Sequence, residues 1–509
     1  MFFFPHRRRL ALRAAFLFLG ALSFSGAQSD DLATLSAHGK DLMAQGRFEE
    51  AIPVYQSLLK SLPGNPGLIL NLGMAEQMAG HPEAAIAHFK SVLKVEPNSI
   101  PALTSLAMAD LELKEPAEAV APLRRVLTLN AKDINARGML AGAEMSIGKF
   151  DDAASEYRQL TASVPDDPKA WYGLGKAYEA LAGARFGQLA KIAPESGYVA
   201  LLVADSRLQR RQYRSAFFFY REAEKSTPNL PGLHAGLARV YRETGHADWA
   251  ITEEKLETNS SGLDCKLQLQ ACQFLRGNFS EATKAAAYNS APGLFWAARA
   301  YNQLALQTFA RLGKLPESAE LHTLKAQILH DHGQDLEAAK EWRAALALAP
   351  ATNTAQLKFE LGKSLFLGRD YQAAIALLQE LLSGDPGSPD LNFMLGESLW
   401  RTQQVENALP YLQKSLSASP EMLPAHAALG LALIALNKTT EAIPHLEKAE
   451  SLDDDGSLHY SLARAYQSAG DTDKAHVAME QYQQIQKRNH DQDDVLSKEA
   501  QITAPTPAP

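Results

Sequence analysis

A pattern that repeats every 34 residues constrains this chain more than any other feature of its sequence. Leu72 and Gly73 are followed, 13, 17 and 25 residues after the leucine, by Ala85, Phe89 and Pro97. The small residues allow two helices to cross closely, the aromatic ring wedges between neighbouring helix pairs, and the proline stops the second helix. The same spacings recur at Leu140, Ala153, Tyr157 and Pro165, at Leu361, Ala374, Leu378 and Pro386, and at Leu395, Ala408, Leu412 and Pro420. Such a repeat predicts stacked helix pairs, none of which is stable alone.

The fullest motif lies in the middle of the first half of the chain. Trp171, Leu174, Gly175 and Tyr178 give the pattern W-x-x-L-G-x-x-Y, and the repeats span roughly residues 32–489. In these features the chain resembles the tetratricopeptide repeat (TPR) family. The resemblance implies an all-α fold, a right-handed α-solenoid of stacked antiparallel helix pairs that together form a TPR superhelix. It also implies an inner wall lined by the first helix of each pair.

The regularity of the repeats divides the chain into blocks. We expect an N-terminal TPR block at 28–230 with one shortened repeat near 168–196, irregular helical repeats at 231–318, a C-terminal TPR block at 319–489 and a disordered tail at 490–509. In the shortened repeat we expect the second helix to end early, before Pro194. The sequence Pro-Glu-Ser at 194–196 recurs at 316–318 after a second shortened unit. This recurrence indicates that a segment of several helix pairs was duplicated.

The first 27 residues have the composition of a secretory signal peptide. Arginines at positions 7, 8, 9 and 13 precede the apolar run from Ala14 to Phe24, and small residues follow up to Ala27. A membrane-spanning anchor, the alternative, needs about 20 apolar residues, more than this run provides. We therefore expect export, with cleavage after Ala27, to the periplasm or the extracellular side of the cell envelope.

The charge balance excludes one class of partner. The chain has 50 basic and 58 acidic side chains, a formal charge of −8. Without the four arginines of the leader, 46 basic side chains remain against 58 acidic ones. Nucleic-acid binding requires a basic surface that neutralises phosphates, so we expect no nucleic-acid partner.

The two cysteines, Cys265 and Cys272, lie seven residues apart in a segment that we predict to be helical. On a helix this spacing separates their Cα atoms by about 10 Å, which is too far for a disulfide. We therefore expect two buried thiols that act as small apolar side chains.

No motif predicts catalysis, a cofactor or a metal. The tripeptide Gly-Lys-Ser at 362–364 resembles the end of a phosphate-binding loop, but Leu357 stands where the first glycine of that loop belongs. The histidines at 322, 330 and 332 lack a cysteine or carboxylate at ligand spacing. The leader, repeats and tail account for nearly the whole chain, so we predict that the protein is not an enzyme.

The resemblance places particular side chains of the C-terminal block on the inner wall, where aromatic and aliphatic groups would anchor a peptide. An equally good interpretation of any one of them is a core contact between adjacent helices. The predicted partner-binding residues are Phe359, Lys363, Phe366, Phe393, Glu397, Trp400, Leu431, Ile434, Tyr460 and Arg464. Some family members hold a chaperone's C-terminal carboxylate at fixed wall positions, but here two of these positions are Ser36 and Lys40, so that clamp does not carry over.

These observations favour a non-enzymatic scaffold that binds protein or peptide partners. An alternative is a structural subunit of an envelope assembly or secretion complex that uses its convex face and edges. A third hypothesis is an enzyme with its site in the irregular region 231–318, although no convincing pair of acidic residues supports it.

Overall fold

A computed structural model describes residues 31–259, 264–284, 288–349, 354–499 and 501–505. These residues form α-helices and connecting turns, with no β-strand among them, which confirms the all-α prediction. They belong to two compact units, one up to Ala177 and one from Tyr178. This division falls inside the repeat near 168–196, and the block boundaries at 230 and 318 stay predictions. The predicted leader, residues 1–27, lies outside the described residues.

The first unit is a series of antiparallel helix pairs that pack in chain order. Its helices are α1 (residues 31–44), α2 (Phe48–Ser61), α3 (Pro66–Met78), α4 (Pro82–Val95), α5 (Ile100–Glu112), α6 (Pro116–Leu129), α7 (Ile134–Ser146), α8 (Phe150–Ser163) and the first part of α9 (Pro168–Ile192). Ala85 and Phe89 of α4 are fully buried. A Cβ added to Gly73 in α3 would lie 2.7 Å from Cε1 of Phe89. The glycine therefore allows the close crossing that the repeat pattern predicts.

The second unit begins in the later part of α9 and continues the same arrangement. Its further helices are α10 (Gly197–Gln209), α11 (Tyr213–Ser226), α12 (Leu233–Glu243), α13 (Ala247–Asn259), α14 (Leu269–Leu275), α15 (Phe279–Lys284), α16 (Ala291–Leu312), α17 (Ala319–Asp331), α18 (Asp335–Leu348), α19 (Ala355–Leu367), α20 (Tyr371–Gly384), α21 (Pro389–Arg401), α22 (Val405–Ala418), α23 (Leu423–Ala435), α24 (Thr439–Ala449), α25 (Ser457–Ala469) and α26 (Thr472–Glu499). One apolar core extends from Ala326 to Ala478, and another extends from Leu189 to Ala298. Each core grows along the chain because every helix pair adds a layer to it.

Each of the two shortened repeats, which end at Pro194 and Pro316, contains one long helix where the sequence pattern suggests two short ones. Helices α9 and α16 run without a break for 25 and 22 residues. This corrects the expected shortened second helix, and the reason lies in the missing turn. The stretch from Tyr301 to Arg311 has neither glycine nor proline, and the corresponding part of α9 has Gly183 and Gly187 but no proline. A glycine alone costs a helix only about 1 kcal/mol, so the helix continues.

The similarity between the two irregular segments continues beyond their long helices. The Ser196 hydroxyl accepts a hydrogen bond from the backbone N–H of Val199 at the start of α10, and Ser318 accepts one from Leu321 at the start of α17. Both serines thus cap the helix that follows, as serine does when its hydroxyl satisfies a free N–H of the first turn. The recurring Pro-Glu-Ser sequence therefore has the same structural role in both places.

The cysteines are joined by a disulfide, which corrects the prediction of two free thiols. The Cα atoms of Cys265 and Cys272 are 5.6 Å apart. Only Cys272 lies in a helix, α14, whereas Cys265 lies in the turn before it. The Asp264 carboxylate accepts a hydrogen bond from the backbone N–H of Lys266 at 2.8 Å, and this Asx turn folds the chain back. The spacing expected on one continuous helix does not apply here, because the turn at Asp264 precedes α14.

The C-terminal residues also differ from the disordered tail predicted for 490–509. Helix α26 continues to Glu499. Beyond it, Gln501–Pro505 has no regular secondary structure, yet Ile502 packs against the core of the second unit and Thr503 accepts a hydrogen bond from Tyr241. Residues 506–509 lie outside the described part of the chain. Composition alone could not reveal this contact, which joins residues 262 positions apart.

No helix among the described residues has both the length and the apolar character needed to cross a membrane.

Candidate interaction surface

The ten predicted partner-binding residues lie on the first helices of four successive pairs. Helix α19 carries Phe359, Lys363 and Phe366, α21 carries Phe393, Glu397 and Trp400, α23 carries Leu431 and Ile434, and α25 carries Tyr460 and Arg464. We call this set the α19–α25 face. Phe393 follows Phe359 by 34 residues and Trp400 follows Phe366 by the same number, so equivalent positions of neighbouring repeats carry aromatic side chains.

The apolar members of the α19–α25 face are partly buried. Six of them pack against the core that lies below the four helices: Phe359, Phe366, Phe393, Trp400, Leu431 and Ile434. Tyr460 is 43 % exposed, and Arg464 is also exposed. The sequence left open whether these residues are core or wall. The six partly buried side chains belong to the core and to the surface, since each one touches the core and keeps part of its area accessible.

Aromatic contacts on this face occur both within a helix pair and between neighbouring pairs. The rings of Phe366 and Phe393 meet edge to face with their centroids 5.7 Å apart, and Phe366 makes a similar contact with Tyr371 at 5.9 Å. Tyr460 of α25 lies 5.4 Å from Tyr482 of α26. The two edge-to-face contacts of Phe366 favour one ring orientation. These contacts therefore restrict the positions of Phe366 and Phe393.

A charged group lies beside the aromatic residues of α21. The Arg401 guanidinium donates to Oε1 of Glu397 through Nε at 3.2 Å and Nη2 at 3.1 Å, and its carbon lies 4.3 Å from the centre of the Trp400 ring. Burial raises the pKa of Glu397, and Arg401 partly offsets this effect. The sequence prediction missed Arg401, although its position four residues after Glu397 is a signal for a helical ion pair.

Other titratable groups connect the two helices of a pair. Side chains 19 residues apart meet at His234 and Glu253 (2.7 Å), at His322 and Glu341 (2.6 Å), and at His426 and His445 (2.8 Å). In the first two pairs an imidazole meets a carboxylate, whereas the third brings two imidazoles together. Burial lowers the pKa of His445, and the neighbouring His426 lowers it further. No group of three His, Cys, Asp or Glu side chains suited to a metal ion occurs in the part of the chain described.

Comparisons with known families agree with this architecture. A tetratricopeptide repeat model matches residues 42–108, 77–143 and 110–177, and a second tetratricopeptide repeat model matches 331–389. The model of anaphase-promoting complex, cyclosome, subunit 3 matches 368–449. The chain is a multi-repeat TPR protein.

Solved structures similar to parts of this TPR protein include a crystal structure of MamA, with 28 % identity over 29 % of this chain and 81 % of that chain and a TM-score of 0.28. MamA residues 41–end from Desulfovibrio magneticus RS-1 are 22 % identical over 34 % of this chain and 97 % of that chain, with a TM-score of 0.30. YrrB, described as a TPR protein with an unusual peptide-binding site, is 22 % identical over 33 % of this chain and 87 % of that chain, with a TM-score of 0.28. No curated protein matches the TPR chain.

Proposed function

We propose that this TPR protein is a non-enzymatic scaffold that binds protein or peptide partners on the α19–α25 face, after export across the inner membrane. Families built on this repeat generally serve as protein-interaction scaffolds. The proposal adds the face that binds, the kind of contact that anchors the partner and the compartment in which binding occurs.

The observation that carries the proposal is the row of accessible apolar side chains at equivalent positions of successive helices. A partner that inserts apolar side chains between Phe366, Phe393 and Trp400 would cover two rings that contact each other and a third that lies against Arg401. Binding energy concentrates at such fixed aromatic anchors because little conformational entropy is lost there. The Glu397 carboxylate and the Arg401 guanidinium add a donor and acceptor set beside the apolar surface.

A double variant, Phe393→Leu with Trp400→Leu, tests the face while keeping an apolar side chain toward the core. Wild-type and variant chains would be immobilised and used to capture partners from an envelope extract, with quantitative mass spectrometry of what is retained. The matched control is Leu367→Ala, which changes an apolar side chain of α19 that is 43 % exposed but is not among the residues of the face. We expect the double variant to lose a specific partner at least tenfold and the control to retain it.

Thermal unfolding of both proteins shows whether the double variant is still folded, so that a loss of binding can be assigned to the face. If the double variant melts like the wild type and still captures the same partner, the α19–α25 face is not the binding surface. A retained partner would then favour the alternative, a structural subunit that assembles through other surfaces.

Export is supported by two separate observations. The first 27 residues have the composition of a signal peptide, and Cys265 and Cys272 form a disulfide, a bond that persists mainly in oxidising compartments. Fractionation of cells, followed by N-terminal sequencing, should find the mature chain outside the inner membrane and beginning at Gln28. A cytoplasmic chain with two free thiols would contradict this part of the proposal.

A further inference from the structure

Residues Gln501–Pro505 occupy a specific place on the second unit. This segment lies against α11 and α12 of the same compact unit, and its contacts there join residues 262 and 283 positions apart. Ile502 is partly buried and packs against the core cluster that contains Phe217 and Tyr241. The segment is therefore held by an apolar anchor as well as by the hydrogen bonds described next.

Two side chains of the repeats bind consecutive backbone carbonyls of this segment. The Tyr241 hydroxyl donates to the carbonyl oxygen of Thr503 at 2.7 Å, and Arg221 donates through Nη2 to the carbonyl oxygen of Ala504 at 3.2 Å. Carbonyl groups are present whatever the side chains are, so these bonds recognise a non-helical backbone. Selectivity for sequence must come from the apolar side chain at Ile502 and from the chain direction that Pro505 imposes.

The donors are held in place by contacts other than those with the tail. The Tyr241 ring packs against Phe217 and Trp249, with centroids 5.8 and 5.6 Å apart. The Arg221 guanidinium pairs with Glu224 at 2.5 Å through Nη1 and lies 5.5 Å from the centre of the Phe217 ring. Burial raises the pKa of Tyr241 to about 12, so its hydroxyl carries its proton at neutral pH and can donate it. The site is thus largely formed before any peptide binds.

The bound segment has little conformational freedom to lose. Ala504 precedes Pro505, whose ring fixes its own φ. A residue before proline is restricted to extended backbone, and proline-rich segments favour the polyproline II conformation. A ligand that is already extended loses less entropy on binding, which favours recognition through few contacts.

We propose that Arg221, Tyr241 and the apolar cluster beside them form a binding site for an extended peptide with an aliphatic residue three positions before a proline. The chain's own Gln501–Pro505 occupies this site until a partner peptide of the same chemistry displaces it. The proposal goes beyond the scaffold function of the α19–α25 face, because the site lies on α11 and α12 and recognises backbone. A tethered segment has an effective concentration in the millimolar range, so it blocks weak competitors and yields to tighter ones.

The test uses the full chain and a fluorescent peptide with the sequence of residues 501–509. The variant Ile502→Glu places a charge at the apolar anchor and should release the tail. By fluorescence polarisation, we expect the peptide to bind this variant at least tenfold more tightly than it binds the wild type. Adding Tyr241→Phe, which removes one hydroxyl and keeps the ring, should weaken that binding about fivefold.

Tyr220→Phe is the matched control for the loss of a hydroxyl. Tyr220 is a fully buried tyrosine of α11, and its hydroxyl donates to Asp205 at 2.7 Å and not to the tail. In the Ile502→Glu background, Tyr220→Phe should change peptide affinity by less than twofold. A second peptide with glutamate in place of isoleucine should fail to bind any variant, which tests the apolar anchor without altering the protein at the site.

Each other outcome overturns the proposal. Equal peptide affinity in the wild type and Ile502→Glu would show that the tail does not occupy the site. No binding to Ile502→Glu would show that there is no peptide site. An effect of Tyr241→Phe no larger than that of Tyr220→Phe would remove Tyr241 from it. A wild-type dimer that Ile502→Glu converts to monomer would mean that the tail binds a second copy, which contradicts occupation within one chain.

Discussion

Replacing Gly236 by alanine tests the close contact between helices of neighbouring pairs. A Cβ added at Gly236 in α12 would overlap the ring of Tyr220 in α11, with the Tyr220 hydroxyl oxygen only 2.5 Å away. Tyr220 is fully buried, and its hydroxyl donates to Asp205 at 2.7 Å. The ring therefore cannot swing into solvent, and any shift also weakens that hydrogen bond.

The size of the effect follows from three contributions. Overpacking in a well-filled core costs about 1–3 kcal/mol, and a weakened hydrogen bond adds about 1 kcal/mol. Alanine recovers about 1 kcal/mol because it favours the helix over glycine. We expect Gly236→Ala to lower the local free energy of unfolding by about 2 kcal/mol, which corresponds to roughly thirtyfold faster hydrogen exchange.

Hydrogen exchange with mass spectrometry measures this loss of local stability in peptides from α11 and α12. Gly183→Ala is the matched control because Gly183 lies in α9, and an added Cβ would meet no atom within 4 Å. There the helix preference acts alone, and exchange in the peptide that contains residue 183 should slow by up to about fivefold. If the two substitutions change exchange in the same direction and by similar amounts, the argument from close helix crossing is wrong.

Two further predictions concern titration and the disulfide. The pKa of His445 is lowered in the folded chain, so the unfolded chain binds more protons as the pH falls below the ordinary histidine pKa of about 6.5. The midpoint of urea unfolding should therefore fall as the pH drops from 7.5 to 5.5. The variant His445→Glu, which pairs His426 with a carboxylate as in other repeats, should reduce this fall. Replacing Cys265 and Cys272 by serine opens a short loop and should destabilise the α14–α15 region by about 2.5 kcal/mol. Faster exchange in peptides from 264–284 would report this, and a reductant should produce the same change in the wild type but none in the variant.

The repeat pattern predicted the fold well because its residues act locally. Gly73 and Phe89 have spacing that only a close pair of helices satisfies, and the structure places them in contact as expected. The residues of the α19–α25 face came from the resemblance to the TPR family, and their binding of a partner stays a prediction. The 34-residue spacing adds that Phe359 and Phe393 occupy equivalent places on successive helices. It could not say how far each side chain is buried, because that depends on the neighbouring pair.

The differences arose where the chain departs from its own pattern. The early Pro194 was a true signal of irregularity, but it marked a single long helix instead of a short second one. The cysteine distance was computed for a helix that the Asx turn at Asp264 interrupts. The position of Ile502 required knowledge of tertiary structure, because nothing near residue 502 in sequence points to Tyr241.

Site-specific photo-crosslinking gives the most direct test of the central claim that partners bind the α19–α25 face. A benzophenone amino acid would replace Tyr460 or Phe393 on that face and, as controls, Leu367 or Leu336, which are 43 % and 47 % exposed outside it. Irradiation of the envelope fraction, followed by mass spectrometry of the crosslinked products, should join a partner to the first two positions and not to the controls. Crosslinks to the same partner only from the control positions would contradict the account.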